Sequence, residues 1–348
     1  MKVEELLENC IKAFKITNKY YPYVSFERAL FLGWYCDLKE PCKFCYMSVL
    51  KDKIKDPLKA RRSLSSILAE AILMKRIGWK LEFISGGYGY KEDEINKIVE
   101  AIAYVQKCKQ YLNVGVVDLD KINLDVVEGV VGAVETLRDR EKICPGKSLE
   151  KIKDNLIKAK DLGLKTGITI ILGLNEREED IEKLLNLIEE LDLDRITFYS
   201  LNPQKGTIFE NKPSITTIEY MRWVSSVRLE FPKIKIITGV WTDKIPMISP
   251  LIMAGSNVIT KFPLFSIYGT KYAYWIEKEI RSVKELYGTM TDIDVLKGIK
   301  KLEKTPYKDE NIKVGEETVE LIENLKNEIN EKIENYIKKV EKRAINGS

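Results

Sequence analysis

The hydrophobic and polar positions of this chain switch period repeatedly, from two residues to about three and a half and back, as strand and helix do. "VEELLENCIKAFKITNKY" near the N-terminus spaces its apolar residues as one face of a helix. "VSFERALFLGW" then alternates and turns apolar, as a strand does before a loop. Helical spacing follows over 57–79, carried by Leu64, Ile67, Leu68, Ala71, Ile72 and Ile77. "LEFISGG" reads as strand, "EDEINKIVEAIAYVQKCKQ" as helix and "YLNVGVVD" as strand; a short helix over 122–128 is expected before a fourth strand, "VVGAVET". "SLEKIKDNLIKAKDLG" carries its own punctuation, with Ser148 suited to the N-cap and Gly163 to the C-terminal cap. "KTGITIILGL" is apolar enough for a parallel strand buried on both faces. The alternation continues through a helix over 179–191, "RITFYSL", "TTIEYMRWVSSVRLEF", "KIKIITG", a helix over 246–253 and "SNVIT".

About eight strands, each followed by helix, predict an α/β fold of the (βα)8 TIM-barrel type. The expected organisation is an N-terminal helical segment over 1–23, the barrel over 24–261 and a mostly helical C-terminal extension over 262–348. The extension is rich in lysine and ends in a long helical pattern whose apolar stripe runs Val319, Ile322, Leu325, Ile329, Ile333, Ile337, Val340. Such a stripe either packs on its own barrel or pairs with a second chain.

Composition narrows the chemistry. The chain has 348 residues, 45% hydrophobic and 32% charged, enough apolar material for one large core. No apolar run is long enough for a bilayer and the N-terminus lacks the pattern of a secretion signal, so a cytoplasmic location without a membrane partner is expected. Basic and acidic residues, 57 and 53, are interspersed and give a net charge of +4, so nucleic acid is not an expected partner. Histidine is absent, which excludes Ser-His-Asp triads, Cys-His pairs and HExxH zinc sites. The chemistry must rest on cysteine, carboxylate, amine, hydroxyl or a cofactor.

Of six cysteines, Cys10, Cys108 and Cys144 are scattered and read as packed thiols, whereas Cys36, Cys42 and Cys45 share the loop "GWYCDLKEPCKFCYMS" after the first strand. Loops that follow barrel strands gather at the face where active sites of this fold are built. Three thiolates can hold three corners of a cubane iron-sulfur cluster and leave the fourth iron open, whereas a structural zinc site needs a fourth ligand.

With these residues the chain resembles the radical S-adenosylmethionine superfamily, whose loop after the first barrel strand carries CxxxCxxC; here the first gap is two residues longer. Phe44 stands where that superfamily carries an aromatic residue, implied to pack against adenine. "SGGYG" resembles its GGE motif, with Gly86 and Gly87 matching, Tyr88 in place of the acid, and the backbone implied to hold the methionine amino group. "VETL" resembles the stretch after the fourth strand in biotin synthase, which makes Glu135 the candidate for the ribose hydroxyls. "TIILGLNE" resembles GxIxGxxE, with Ile171, Gly173 and Glu176 matching and Thr169 replacing the first glycine. "LNPQKGT" and "MAGSN" extend the resemblance over most of residues 31–259. The group most resembled is biotin synthase, HydE and above all HcgA (HmdB), a methanogen family with the same CxxxxxCxxC spacing, implicated in making the guanylylpyridinol (FeGP) cofactor of [Fe]-hydrogenase.

The resemblance implies a 4Fe-4S cluster on Cys36, Cys42 and Cys45 whose open iron chelates S-adenosylmethionine. An external one-electron donor such as a ferredoxin would drive homolysis to a 5′-deoxyadenosyl radical, which takes hydrogen from a small-molecule substrate. Departures mark limits: Val240 stands where biotin synthase has an arginine, Cys108 and Cys144 do not match ligands of its second cluster, and the methionine carboxylate contact falls to Lys151 or Lys153. Tyr88, Asp118, Tyr199, Asn202 and Trp241, at expected strand ends, are candidates for substrate contact or simply for lining the barrel mouth. A biotin synthase-like or HydE-like enzyme on another small molecule stands as the runner-up. A non-enzymatic metal-binding or electron-carrier protein with a closed site remains the alternative of a different class.

Overall fold

Each stretch expected as a strand finds a parallel neighbour, and the ring closes. The computed structural model describes residues 2–261, 264–305 and 307–345. Its strands are β1 (Tyr23–Phe31), β2 (Lys80–Ser85), β3 (Gln110–Asn113), β4 (Val127–Glu135), β5 (Lys165–Leu172), β6 (Arg195–Ser200), β7 (Lys235–Gly239) and β8 (Val258–Thr260). β1 pairs with β2 at Arg28 opposite Leu81 and with β8 at Ser25 opposite Val258, which closes the eight-stranded (βα)8 barrel. Phe262, where the C-terminal extension was expected to begin, lies outside the described residues, as do Met1 and 346–348.

The expected caps form. Ser148 Oγ accepts the Lys151 N–H at 3.2 Å to open helix Leu149–Asp161, and Gly163 takes φ +77° just past its end, where a side chain would be strained. Two expectations fail locally. The helical pattern over 57–79 splits into a 3-10 turn at Pro57–Ala60 and a helix at Leu64–Arg76, because Ser63 caps a new start by accepting the Ser66 N–H at 3.3 Å. The helix expected over 122–128 is absent. Asp118 and Asn123 each accept a backbone N–H two residues on, at 3.3 and 3.1 Å, and these local bonds close two 3-10 turns instead.

The extension adds a short strand, β9 (Glu285–Tyr287), parallel to β1 at Tyr23–Ser25. Helix Glu316–Ile345 lies along helices Leu64–Arg76 and Glu92–Gln106. Ile322, Ile329, Ile333 and Val340 of its stripe are buried there, and Ser65 donates to Glu328 at 2.7 Å. The stripe therefore packs on its own barrel.

Inside the ring the apolar wall gives way to two polar layers. In the lower one, fully buried Glu27 bonds Arg195 at 3.1 Å and also pairs with Lys235, while the Arg195 guanidinium lies 4.4 Å from the Tyr111 ring centre. Above it, Glu82 accepts from Tyr199 Oη at 2.5 Å and Thr260 Oγ1 at 2.7 Å. Burial disfavours charge in Glu27, but the two cations outweigh it and hold its carboxyl below the ordinary range. These layers form the floor of a cavity at the C-terminal ends of the strands.

Candidate active site

Cys36, Cys42 and Cys45 lie on the loop between β1 and the short helix Tyr46–Lys51, and all three line one cavity of about 440 Å³ at the barrel mouth. Neighbouring loops hold that segment in place. Asp37 N–H donates to Tyr88 O at 2.9 Å, Lys43 N–H to Ile143 O at 2.8 Å, and Ser48 Oγ to Cys45 O at 2.6 Å. A Cβ on Gly87 would stand 2.4 Å from Tyr35 O and 2.7 Å from Cys36 Cβ; only a residue without a side chain lets the β2 loop approach this closely. Gly87→Ala is therefore expected to displace Cys36 and reduce iron incorporation severalfold while far-UV circular dichroism stays native. Full iron content in that variant would contradict this.

Among the described residues, no three Cys, Asp or Glu side chains are gathered as the donor set of a metal ion. A zinc site needs its donors converged on one point, whereas a cubane places each thiolate on a different iron and asks for a wider set. By their chemistry, the three cysteine thiols that line the cavity are a donor set suited to three corners of a cluster. Cys42 is buried and Cys36 and Cys45 are half-buried. A hydrogen bond from Cys144 holds the Cys42 thiol below its ordinary value against its burial, and Lys147 adds to this; burial pushes Cys45 up to about 11.

At the end of β4, Glu135 takes the left-handed backbone at φ +69° and receives Lys147 Nζ at 2.7 Å and Thr169 Oγ1 at 3.4 Å. Burial alone would lower Lys147, but the facing Glu135 carboxylate, with Cys42 and Cys144, keeps it above its ordinary value. Lys147 lines the cavity and was not singled out in the sequence, although "CPGKS" places it just before the Ser148 cap. Lys151 and Lys153 lie elsewhere: Lys151 is exposed on helix Leu149–Asp161, and Lys153 pairs with Glu190 at 2.5 Å.

Phe44, Gly86, Gly87, Tyr88, Tyr199, Asn202 and Trp241 also line the cavity. Three expected site residues do not. β3 ends at Asn113, so Asp118 falls in the turn beyond it, where it pairs with Lys121 at 3.3 Å. Glu176 spends both carboxylate oxygens on the backbone N–H groups of Gly173 and, at 2.8 Å, Leu174, bracing the turn after β5. Gly173 belongs to that turn, at φ +109°. These two residues shape the β5 loop and leave Ile171 to face the cavity.

Residues 33–188 match the model of the radical SAM superfamily. An uncharacterized protein of Methanocaldococcus jannaschii is 75% identical over 98% of this chain and 96% of its own length. The biotin synthase of Thermotoga neapolitana is 25% identical over 73% of this chain and 93% of its own length. This chain belongs to the radical SAM superfamily. Among solved structures, methylornithine synthase (PylB) aligns with this radical SAM protein at a TM-score of 0.63 and 20% identity, covering 75% of this chain and 78% of that one. HydG, a maturase of the [FeFe]-hydrogenase, aligns at 0.57 and 16% identity, covering 75% and 62%. Both likenesses are of fold. No helix among the described residues of this radical SAM protein is long and apolar enough to cross a membrane.

Proposed function

We propose that the protein is a radical S-adenosylmethionine enzyme of cofactor biosynthesis that acts on a small molecule in making the guanylylpyridinol cofactor of [Fe]-hydrogenase. The observation that carries the reading is the convergence of Cys36, Cys42, Cys45 and the Glu135–Lys147 pair on one cavity at the C-terminal face of the barrel. When bound, a 4Fe-4S cluster and S-adenosylmethionine would supply one-electron cleavage of a carbon–sulfur bond and a radical able to take hydrogen from substrate.

The chain's own residues hold, orient and enclose. The three thiolates anchor the cluster, and Lys147 offers an ammonium group to the methionine carboxylate. Glu135 keeps that ammonium charged and offers its second oxygen to ribose hydroxyls. Phe44 gives adenine an apolar face, and the backbone of Gly86 and Gly87 offers acceptors for the methionine amino group. Tyr88, Tyr199, Asn202 and Trp241 enclose the space left for substrate. The pyridinol pathway is supported by the CxxxxxCxxC spacing and by the Methanocaldococcus relative. Sulfur insertion of the biotin synthase kind lacks support. Cys10 is packed in the core, neither it nor Cys108 lines the cavity, and Val240 is buried where an arginine would be needed.

The test is anaerobic incubation of the reconstituted protein with dithionite, S-adenosylmethionine and deuterated candidate pyridinol precursors. Deuterium entering 5′-deoxyadenosine from one precursor supports the reading. Cleavage that no pyridinol precursor stimulates or labels would move the protein to another small-molecule branch.

A further inference from the structure

Lys261 follows the last residue of β8, its backbone in the left-handed region at φ +82°. Six non-glycine residues among those described have such a backbone, and only Glu135 and Lys261 also line the cavity. Strain of this kind in a residue with a side chain persists where the surroundings enforce a particular aim. The Lys261 ammonium lies 4.3 Å from the Tyr199 ring centre, 5.7 Å from Phe31 and 5.8 Å from Trp241. Among the described residues no carboxylate stands within ion-pair distance of it. The Glu82 beneath is engaged by Tyr199 and Thr260, and Glu135 by Lys147. Ring faces stabilise a cation but accept few of its N–H bonds, so this ammonium keeps donors for a ligand.

Its place on the ring decides which ligand. Lys147 pairs with Glu135 at the end of β4, and in the closed ring β4 and β8 are four strands apart, so Lys147 and Lys261 reach the mouth from opposite sides. Lys147 already serves the cofactor side in the reading above. A second cation across the mouth, set in an aromatic wall, suits a different anion.

We propose that Lys261, framed by Phe31, Tyr199 and Trp241, is the anchor for a carboxylate on the substrate, which makes the substrate a small carboxylic acid. This rests on the assignment of the cofactor to the β1–β4 side of the cavity. Two bonds from a charged donor to a carboxylate discriminate against the neutral amide by about tenfold or more.

The experiment is titration calorimetry on the reconstituted protein with S-adenosylmethionine present, using the matched pairs benzoate and benzamide, and butyrate and butyramide. The unaltered protein and Lys261→Arg are expected to bind each acid about tenfold more tightly than its amide. Lys261→Gln is expected to bind acid and amide alike; Lys261→Met replaces it if its thermal melt shows misfolding. Equal binding of acid and amide by the unaltered protein overturns the proposal. So does a preference that survives in Lys261→Gln but disappears in Lys147→Gln. Release of 5′-deoxyadenosine is measured on the same preparation. Its absence would sink the radical reading, while the acid preference and its dependence on Lys261 are read independently.

Discussion

Cys42→Ala, reconstituted anaerobically and reduced with dithionite, is expected to release no 5′-deoxyadenosine from S-adenosylmethionine above the protein-free background. Cys42 is the most enclosed of the three loop cysteines, with a thiol that Cys144 and Lys147 draw toward the thiolate form. A cluster held by only two thiolates loses an iron corner, so the loss should be complete rather than graded. The loop itself should survive, because its position depends on backbone bonds from Asp37 and Lys43 and on the close approach at Gly87. Folding is checked by the thermal melt of the cluster-free protein, which should match the parent. Cleavage activity retained in Cys42→Ala would mean that the loop cysteines do not hold the catalytic cluster.

Glu27→Ala should destabilise the barrel by about 3–5 kcal/mol, the cost of stranding buried charge after one partner of an ion pair is removed. Both cations that face Glu27 lose their counter-charge. Lys235, whose ammonium is already pushed down to about 8 by burial, can shed its proton in response. Arg195 cannot, and its Nε has no hydrogen-bond partner even in the native protein. Glu27→Gln keeps the side chain's shape and one of the two acceptor oxygens that face Arg195 and Lys235, and should cost less. Urea denaturation of the cluster-free chain measures the difference; an alanine variant within about 1 kcal/mol of the parent would show that the pair adds little net stability.

The barrel was legible because its strands and helices carry opposite periods over long stretches, and tertiary packing left those periods intact. The places where the reading failed share a cause. "VGVVD" is apolar enough to continue a strand, yet Gly115 turns the chain at φ +91°, so Asp118 caps a turn away from the mouth. "LNE" matched a motif, but the Glu176 carboxylate satisfies backbone N–H groups close by, a local solution invisible in a pattern of letters. β9 has three residues, too few to show a period. Lys147 and Lys261 were hidden for another reason: this chain is rich in lysine, and only the closed ring distinguishes two that face inward from the many that face solvent. The cysteine loop needed no such help, since its three thiols are close in sequence and the first strand delivers them to the mouth.

The most direct test of the central claim, a cluster with one iron left open on three loop thiolates, is electron paramagnetic resonance of the reduced, reconstituted protein before and after S-adenosylmethionine is added. The account predicts about four iron atoms per chain and a reduced-cluster signal whose g values shift on adding S-adenosylmethionine. A colourless protein with one zinc per chain, or a cluster signal indifferent to S-adenosylmethionine, would contradict it.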